Sequence, residues 1–255
     1  MIRLTFLGTG TSQGVPVIGC SCEVCRSDDH RDKRLRTSAL LEVGDRVFVI
    51  DTGPDFRQQM LRAQVDRVDA VLFTHEHKDH IAGLDDIRPY NFKHKKAMEI
   101  YATEAVQEAL HREYHYVFSD FKYPGVPEVK LHTIASGESF WVQGIDIQPV
   151  EVMHYKMPVL GFRVGNLAYL TDAKTIAPEE MEKLMGLDVL VVNALRRQEH
   201  ISHLNLDQAL ELVEALNPGR AFFTHISHLM GPHADVSRLL PEGVEIAYDG
   251  LQVSC

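Results

Sequence analysis

The sequence predicts an α/β chain in which two sheets pack face to face with helices outside, an αββα sandwich. Apolar, β-branched runs of strand length recur along the chain in two series, and amphipathic helical stretches alternate with them. Size is the third observation. A chain of 255 residues buries a large core without disulfide staples, and it shows no linker, low-complexity stretch or short repeat, so residues 1–255 read as one domain.

The first series of strand patterns covers 3–7, 39–43, 47–50, 70–73, 99–102 and 145–152. The second covers 161–164, 167–170, 189–192, 221–223 and 244–247. Helical patterns fall at 103–117 and 178–185, and most clearly in LNLDQALELVEALNPG. There Leu206, Leu210, Val213 and Leu216 share one face, Asn205 can cap the start, and Asn217-Pro218-Gly219 stops the helix.

Composition narrows the setting. Apolar residues make up 45% and charged residues 24%, values ordinary for a water-soluble globular chain. No apolar run approaches the ~20 residues of a membrane span, and MIRLTFLGTG lacks the apolar core of a signal peptide, so the expected address is the cytoplasm with no membrane partner. The net charge of −10 argues against a dedicated nucleic-acid partner; two short basic clusters, 31–36 and 93–96, read as solvated loops. A homodimer is the default expectation for assembly. Of four cysteines, Cys20, Cys22 and Cys25 lie within six positions, a spacing that in such a chain points to metal or catalysis rather than disulfides.

In LFTHEHKDHIAG a buried strand pattern gives way to His75, Glu76, His77, Lys78, Asp79 and His80. Imidazole and carboxylate suit zinc, manganese or iron. His75 and His77 alternate onto one side of an extended loop; Asp79 and His80 follow as the chain turns toward a helix, where they can serve a second ion. Gly83 lets that turn pack closely. Glu76 and Lys78 alternate away from the donors, toward solvent or backbone.

The run Thr74-His75-Glu76-His77-Lys78-Asp79-His80 resembles the signature of the metallo-β-lactamase superfamily of dinuclear hydrolases. The resemblance implies further ligands at strand ends, and His154 after PVEVM, Asp172 ending AYLTD and His225 ending AFFTH match them. It assigns His75, His77 and His154 to one ion, and Asp79, His80 and His225 to the other, with Asp172 bridging. Asp51, ending RVFVID, matches an aspartate that braces the metal loop. Two such divalent ions, manganese or zinc, would share and activate a water for attack on a phosphoryl group, which places Asp79 among the catalytic residues.

Three thiols leave a tetrahedral zinc one ligand short, and His30 is a local candidate for the fourth. The C-x-C-x-x-C loop, however, resembles that of the PhnP-type branch, the phosphoribosyl 1,2-cyclic phosphate phosphodiesterases. In that branch the second histidine of a T-H-I-S-H motif completes a structural zinc site, and Thr224-His225-Ile226-Ser227-His228 reproduces the motif, which carries the role to His228. The N-terminal GTGTSQGVP also matches, with no helix after it that would make it a dinucleotide fingerprint. The branch places a general-acid histidine just ahead of the late helix; His203 takes that position, with His200 as competitor.

The resulting expectation is a dinuclear metal-dependent phosphodiesterase acting on a small cyclic phosphate ester, with two catalytic ions and one structural zinc. Lys156, Arg196 and Arg197 are candidates for a second substrate phosphate. The related tRNase Z enzymes carry a long arm between the third histidine and the bridging aspartate; here 17 residues separate His154 from Asp172. A glyoxalase-type thioesterase lacks room for its helical substrate domain in the 30 residues after His225. An exported zinc β-lactamase would need a signal. Pyrroloquinoline quinone biosynthesis B-like proteins share the cysteine loop, and a noncatalytic metal-binding module would have lost a ligand.

Overall fold

The structure is a computed structural model describing residues 1–121 and 123–255. Its strands, in chain order, are β1 (Ile2–Gly8), β2 (Ser38–Val43), β3 (Arg46–Ile50), β4 (Ala70–Leu72), β5 (Met98–Ala102) and β6 (Val129–Thr133). They continue with β7 (Phe140–Val142), β8 (Ile145–His154), β9 (Met157–Val164), β10 (Leu167–Tyr169), β11 (Val189–Asn193), β12 (Arg220–Thr224), β13 (Val244–Ile246) and β14 (Gln252–Ser254). Among the described residues they form two seven-stranded sheets, ordered β14-β1-β2-β3-β4-β5-β6 and β13-β12-β11-β10-β9-β8-β7. The early strands pair as antiparallel hairpins, whereas β3 to β6 and β10 to β13 run parallel.

Strand alternation explains the layers. Along β1 and β3, Leu4, Phe6, Phe48 and Ile50 face inward and meet Phe162, Tyr169, Val191 and Phe222 of the other sheet. The alternate residues, Leu7, Val49, Val71 and Ile100, face outward onto helices carrying Phe56, Val106 and Leu110. On the far side Leu190 and Val192, with Phe223, cover Leu206, Ala209 and Leu216. Three apolar layers between four structural layers make the expected αββα sandwich.

The helix Leu206–Leu216 forms with Asn205 at its N-cap; Gln208 N–H donates to the Asn205 side chain while Gln208 reaches back to the Asn205 N–H. The helix read at 103–117 is two pieces, Glu104–Glu113 and His115–Phe118, because Tyr114 leaves helical geometry (φ −118, ψ 39) and donates its hydroxyl to the Ile81 carbonyl. Helices Phe56–Ala63 and Arg88–His94, strands β6, β7 and β14, and the first half of β9 were not legible in the pattern. No described helix is long and apolar enough to cross a membrane.

Candidate metal centre

The two sheets bring the C-terminal ends of their parallel strands to one rim. Asp51 follows β3, His75 follows β4, His154 ends β8, Asp172 follows β10 and His225 follows β12. Three of these have left-handed backbone: Asp51 at φ 63, Asp172 at φ 57 and His225 at φ 57. That conformation costs an L-residue about 1–2 kcal/mol, and it ends each strand at the donor itself. Close packing holds the loops together. A Cβ on Gly53 would lie 2.1 Å from the Asp79 carbonyl oxygen, and one on Gly83 would lie 2.1 Å from that of Gly53. The expected close approach at Gly83 is therefore present, against the loop that carries Asp51.

Hydrogen bonds fix which nitrogen His80 and His154 offer. Asp51 is fully buried; it accepts from Thr74 N–H (2.9 Å), Thr74 Oγ1 (2.8 Å) and His80 Nδ1 (2.7 Å). His80 Nδ1 is thereby the donor, and its Nε2 stands 3.2 Å from Asp79 Oδ2 and 3.3 Å from Asp172 Oδ2. His154 Nδ1 donates to the Ser202 carbonyl (2.8 Å), again leaving Nε2 toward the cluster. His225 sets Nδ1 3.4 Å from Asp172 Oδ2 and Nε2 3.3 Å from Thr11 Oγ1. The His77 ring lies 4.7 Å from that of His75 and 5.2 Å from that of His154.

All seven expected ligands thus share one cluster. Donor atoms of Asp79, His80 and His225 fall within 4.8 Å of one another, as do those of His75, His80 and Asp172, and those of His154, Asp172 and His203. Asp172 and His80 each belong to two of these sets. His203, read as an acid rather than a ligand, also lies within the cluster, its ring 4.5 Å from that of His154 and 4.9 Å from that of His225. A direct test of fit is the unpaired polar atoms. His75 Nε2, His80 Nε2 and His203 Nδ1 are buried without a hydrogen-bond partner. Each such orphan costs about 1–3 kcal/mol, so converging imidazole nitrogens beside a shared carboxylate fit divalent ions.

The field of the cluster is uneven. Burial opposes ionisation of Asp172, but His225 and His80 outweigh it and hold the carboxyl well below its usual range. Burial lowers His75 far below the ordinary histidine value. His80 goes the other way: burial disfavours its charge, yet Asp51, Asp172 and Asp79 raise it well above normal. Burial, then His225, push His203 down to about 3.

A second site lies nearby. His228 Nδ1 is 3.3 Å from Cys20 Sγ, 3.3 Å from Cys22 Sγ and 3.6 Å from Cys25 Sγ. A tetrahedral zinc with ordinary Zn–S and Zn–N bonds requires about 3.5 Å between such atoms, so the four residues fit it. Hydrogen bonding to the Cys25 backbone, then to His228, lowers the Cys22 thiol to about 6, while burial pushes Cys25 up to about 11. His30 turns away, toward Asp29 and the Tyr248 ring. Backbone bonds tie the N-terminal loop to the ligand turn: Thr11 N–H donates to the Ile226 carbonyl (3.1 Å) and Ile226 N–H to that of Thr9 (2.8 Å).

Other sequence candidates fare differently. The His200 ring lies 5.1 Å from that of His203, tilted by 38°, and its Nδ1 accepts from Ser202 N–H. Lys156 is exposed over the Tyr155 ring. Arg196 donates to the Gln198 and Glu199 carbonyls, and Arg197 to that of Met230. Both arginines lace loops, and the structure brings none of the three cations into the donor cluster. Lys78 faces solvent, as expected, and there pairs with Glu113. Sequence reasoning missed Thr74, Thr171 (Oγ1 to Asp172 Oδ2, 2.7 Å) and Asn193, which clamps Ala173 through both its N–H (2.6 Å) and its carbonyl (3.0 Å). The one signal was an asparagine ending the apolar run VLVVN.

Comparison with known proteins agrees with this geometry. Residues 46–226 match the beta-lactamase superfamily domain. The chain is 42% identical to the octanoyltransferase of Porphyromonas gingivalis over 98% of its own length and 51% of that protein, so it spans about half of that relative. Among solved structures, a diphosphatase of the PhnP family superposes with a TM-score of 0.93 at 40% identity, covering 99% of this chain and 96% of that one. The zinc-bound PqqB of Methylobacterium extorquens superposes with a TM-score of 0.81 at 21% identity, over 99% and 100% of the two chains.

Proposed function

Because the chain belongs to the beta-lactamase superfamily, in its PhnP-type branch, we propose that it is a dinuclear metal-dependent hydrolase that cleaves a phosphorus–oxygen bond in a small phosphodiester. The observation that carries this reading is the set of buried, unpartnered imidazole nitrogens of His75, His80 and His203 around the Asp172 carboxylate. His75, His77 and His154 would hold one ion and Asp79, His80 and His225 the other, with Asp172 common to both. Bound divalent ions supply Lewis acidity and lower the pKa of water.

The chain's own residues do the rest. Asp51 and the Ser202 carbonyl orient His80 and His154 before any ion arrives, so little reorganisation is left for binding. His203 keeps Nδ1 3.7 Å from Asp172 Oδ1, at the edge of the cluster. Burial and then His225 disfavour its charged form, so to act as the general acid it would take up its proton in the field of a bound anionic substrate. The 17 residues between His154 and Asp172 form β9, β10 and their turns, which leaves no RNA-gripping arm.

A second reading, cleavage of a phosphoanhydride, is favoured by the 40% identity to a diphosphatase. The transferase name of the Porphyromonas gingivalis relative describes a chain about twice as long, half of which has no counterpart here. Phosphorus NMR of manganese-loaded protein in oxygen-18 water tests both. The substrates are phosphoribosyl 1,2-cyclic phosphate, a nitrophenyl diester and a nucleoside diphosphate. Diester opening with label entering phosphate supports the first reading; label entering only the diphosphate products supports the second. No turnover of any substrate, with two ions bound, overturns both.

A further inference from the structure

Beside the donor cluster opens a cleft of about 530 Å³, a size suited to a small organic group, with His75 at its inner end. His75 is buried and its Nε2 is unpartnered, so one residue of the donor cluster also lines the cleft. Its walls are mostly apolar, formed by Val106, Ile134, Met157, Pro158 and Leu160, with the hydroxyls of Thr103, Thr133 and Ser136 among them. Its other ionisable side chains are all carboxylates, Glu76, Glu104 and Glu151, and no lysine or arginine lines it. Glu113 and Glu180 in the surrounding structure are paired with Lys78 and Lys183, whereas these three make no ion pair among the described residues. The Lys183 ammonium reaches the Ser136 carbonyl on the rim at 2.9 Å but is already held by Glu180 Oε1 at 2.6 Å. The helix Glu104–Glu113 starts at the cleft; Thr103 Oγ1 caps it and Glu104 occupies its first turn, which offsets the positive end of its dipole.

We propose that this cleft receives the second ester arm of the phosphodiester, and that it selects an apolar arm without negative charge. The inference rests on the hydrolase reading and narrows it. Apolar walls reward burial of a hydrocarbon arm, and unpaired carboxylates repel an arm ending in phosphate or carboxylate, so specificity comes from attraction and exclusion together. A phosphorylated sugar is then a poor occupant of this side of the site.

The test uses binding, so that it does not depend on turnover. Calorimetry on manganese-loaded protein compares two inert diester mimics, hexyl methylphosphonate and 5-carboxypentyl methylphosphonate. The hexyl probe should bind at least about tenfold more tightly. The double variant E104Q/E151Q should bring the ratio below about threefold with the metal count unchanged. Ala135→Trp, a substitution at an exposed position lining the cleft, should weaken hexyl binding while leaving the melting temperature alone. Equal binding, tighter binding of the carboxylate, no binding of either probe, or an unaltered ratio in E104Q/E151Q would each overturn the proposal. A failed hydrolase reading shows itself separately, as absent turnover in the NMR experiment.

Discussion

Replacing Asp51 with asparagine changes one carboxylate oxygen into an amide NH₂ at a position of zero exposure. The wild-type carboxylate accepts three hydrogen bonds, from Thr74 N–H, Thr74 Oγ1 and His80 Nδ1. An asparagine oxygen can serve only one side. If it keeps the Thr74 N–H, its NH₂ faces His80 Nδ1, which must then lose its proton and accept, and the proton moves to Nε2, the nitrogen offered to metal. If it turns to serve His80, its NH₂ faces the Thr74 N–H and a buried donor is left unpaired, at a cost of about 1–3 kcal/mol. Loss of an orienting partner of this kind typically weakens metal binding by about 10–100-fold. Titration of the apoprotein with manganese against a fluorescent chelator should therefore show a right shift of that size for D51N, alongside a lowered melting temperature of the apoprotein. Nitrogen-15 correlation spectra of the His80 ring should report the proton on Nε2 or an altered Nδ1 bond. Wild-type affinity with an unchanged His80 tautomer would refute the claim that Asp51 sets the ligand nitrogen.

Other tests bear on separate parts of the structure. His203→Ala should keep both cluster ions and lower turnover by about 10²–10⁴-fold on a substrate with a poor leaving group; equal rates for wild type and variant on that substrate would remove His203 as the acid. Cys22→Ser should cost one zinc per chain by elemental analysis and lower the melting temperature, and an unchanged zinc count would sink the four-ligand site. His233, buried beside Arg34, is pushed down to about 4 by burial and then by that guanidinium. Its neutral form is the one the fold favours, so its contribution is present above about pH 6.5 and is lost as pH falls toward 4. The variant His233→Asn should flatten denaturant-measured stability across that window, and an identical slope would show that other groups govern it.

The donor run at 75–80 was legible from its own chemistry and spacing, while His154, Asp172 and His225 were placed by the resemblance to the superfamily. His75, His77, Asp79 and His80 are adjacent, and each remaining ligand ends an apolar run. The bracing groups were not. Thr74, Thr171 and Asn193 are ordinary strand-end residues until β10, β11 and the metal loop are placed side by side. Nor did the sequence announce left-handed backbone at Asp51, Asp172 and His225, since none is glycine. The loop arginines differ in how far their partners lie: Arg196 is held locally by the Gln198 and Glu199 carbonyls, whereas Arg197 meets the Met230 carbonyl only after the chain folds back on itself. Edge strands escaped notice because periodicity fades where half-exposed residues alternate over few positions, as in Val129–Thr133.

The candidate Cys20, Cys22, Cys25 and His228 site joins residues 203 positions apart, with His228 synthesised long after the cysteines. At ordinary synthesis speeds of about 5–20 residues per second, Cys20, Cys22 and Cys25 wait about 10–40 s on the ribosome for their fourth partner. Through that interval they are a cluster of three thiols open to adventitious metal or oxidant. Birth in a reducing, zinc-buffered setting would let the turn carrying His228 close on the cysteine loop.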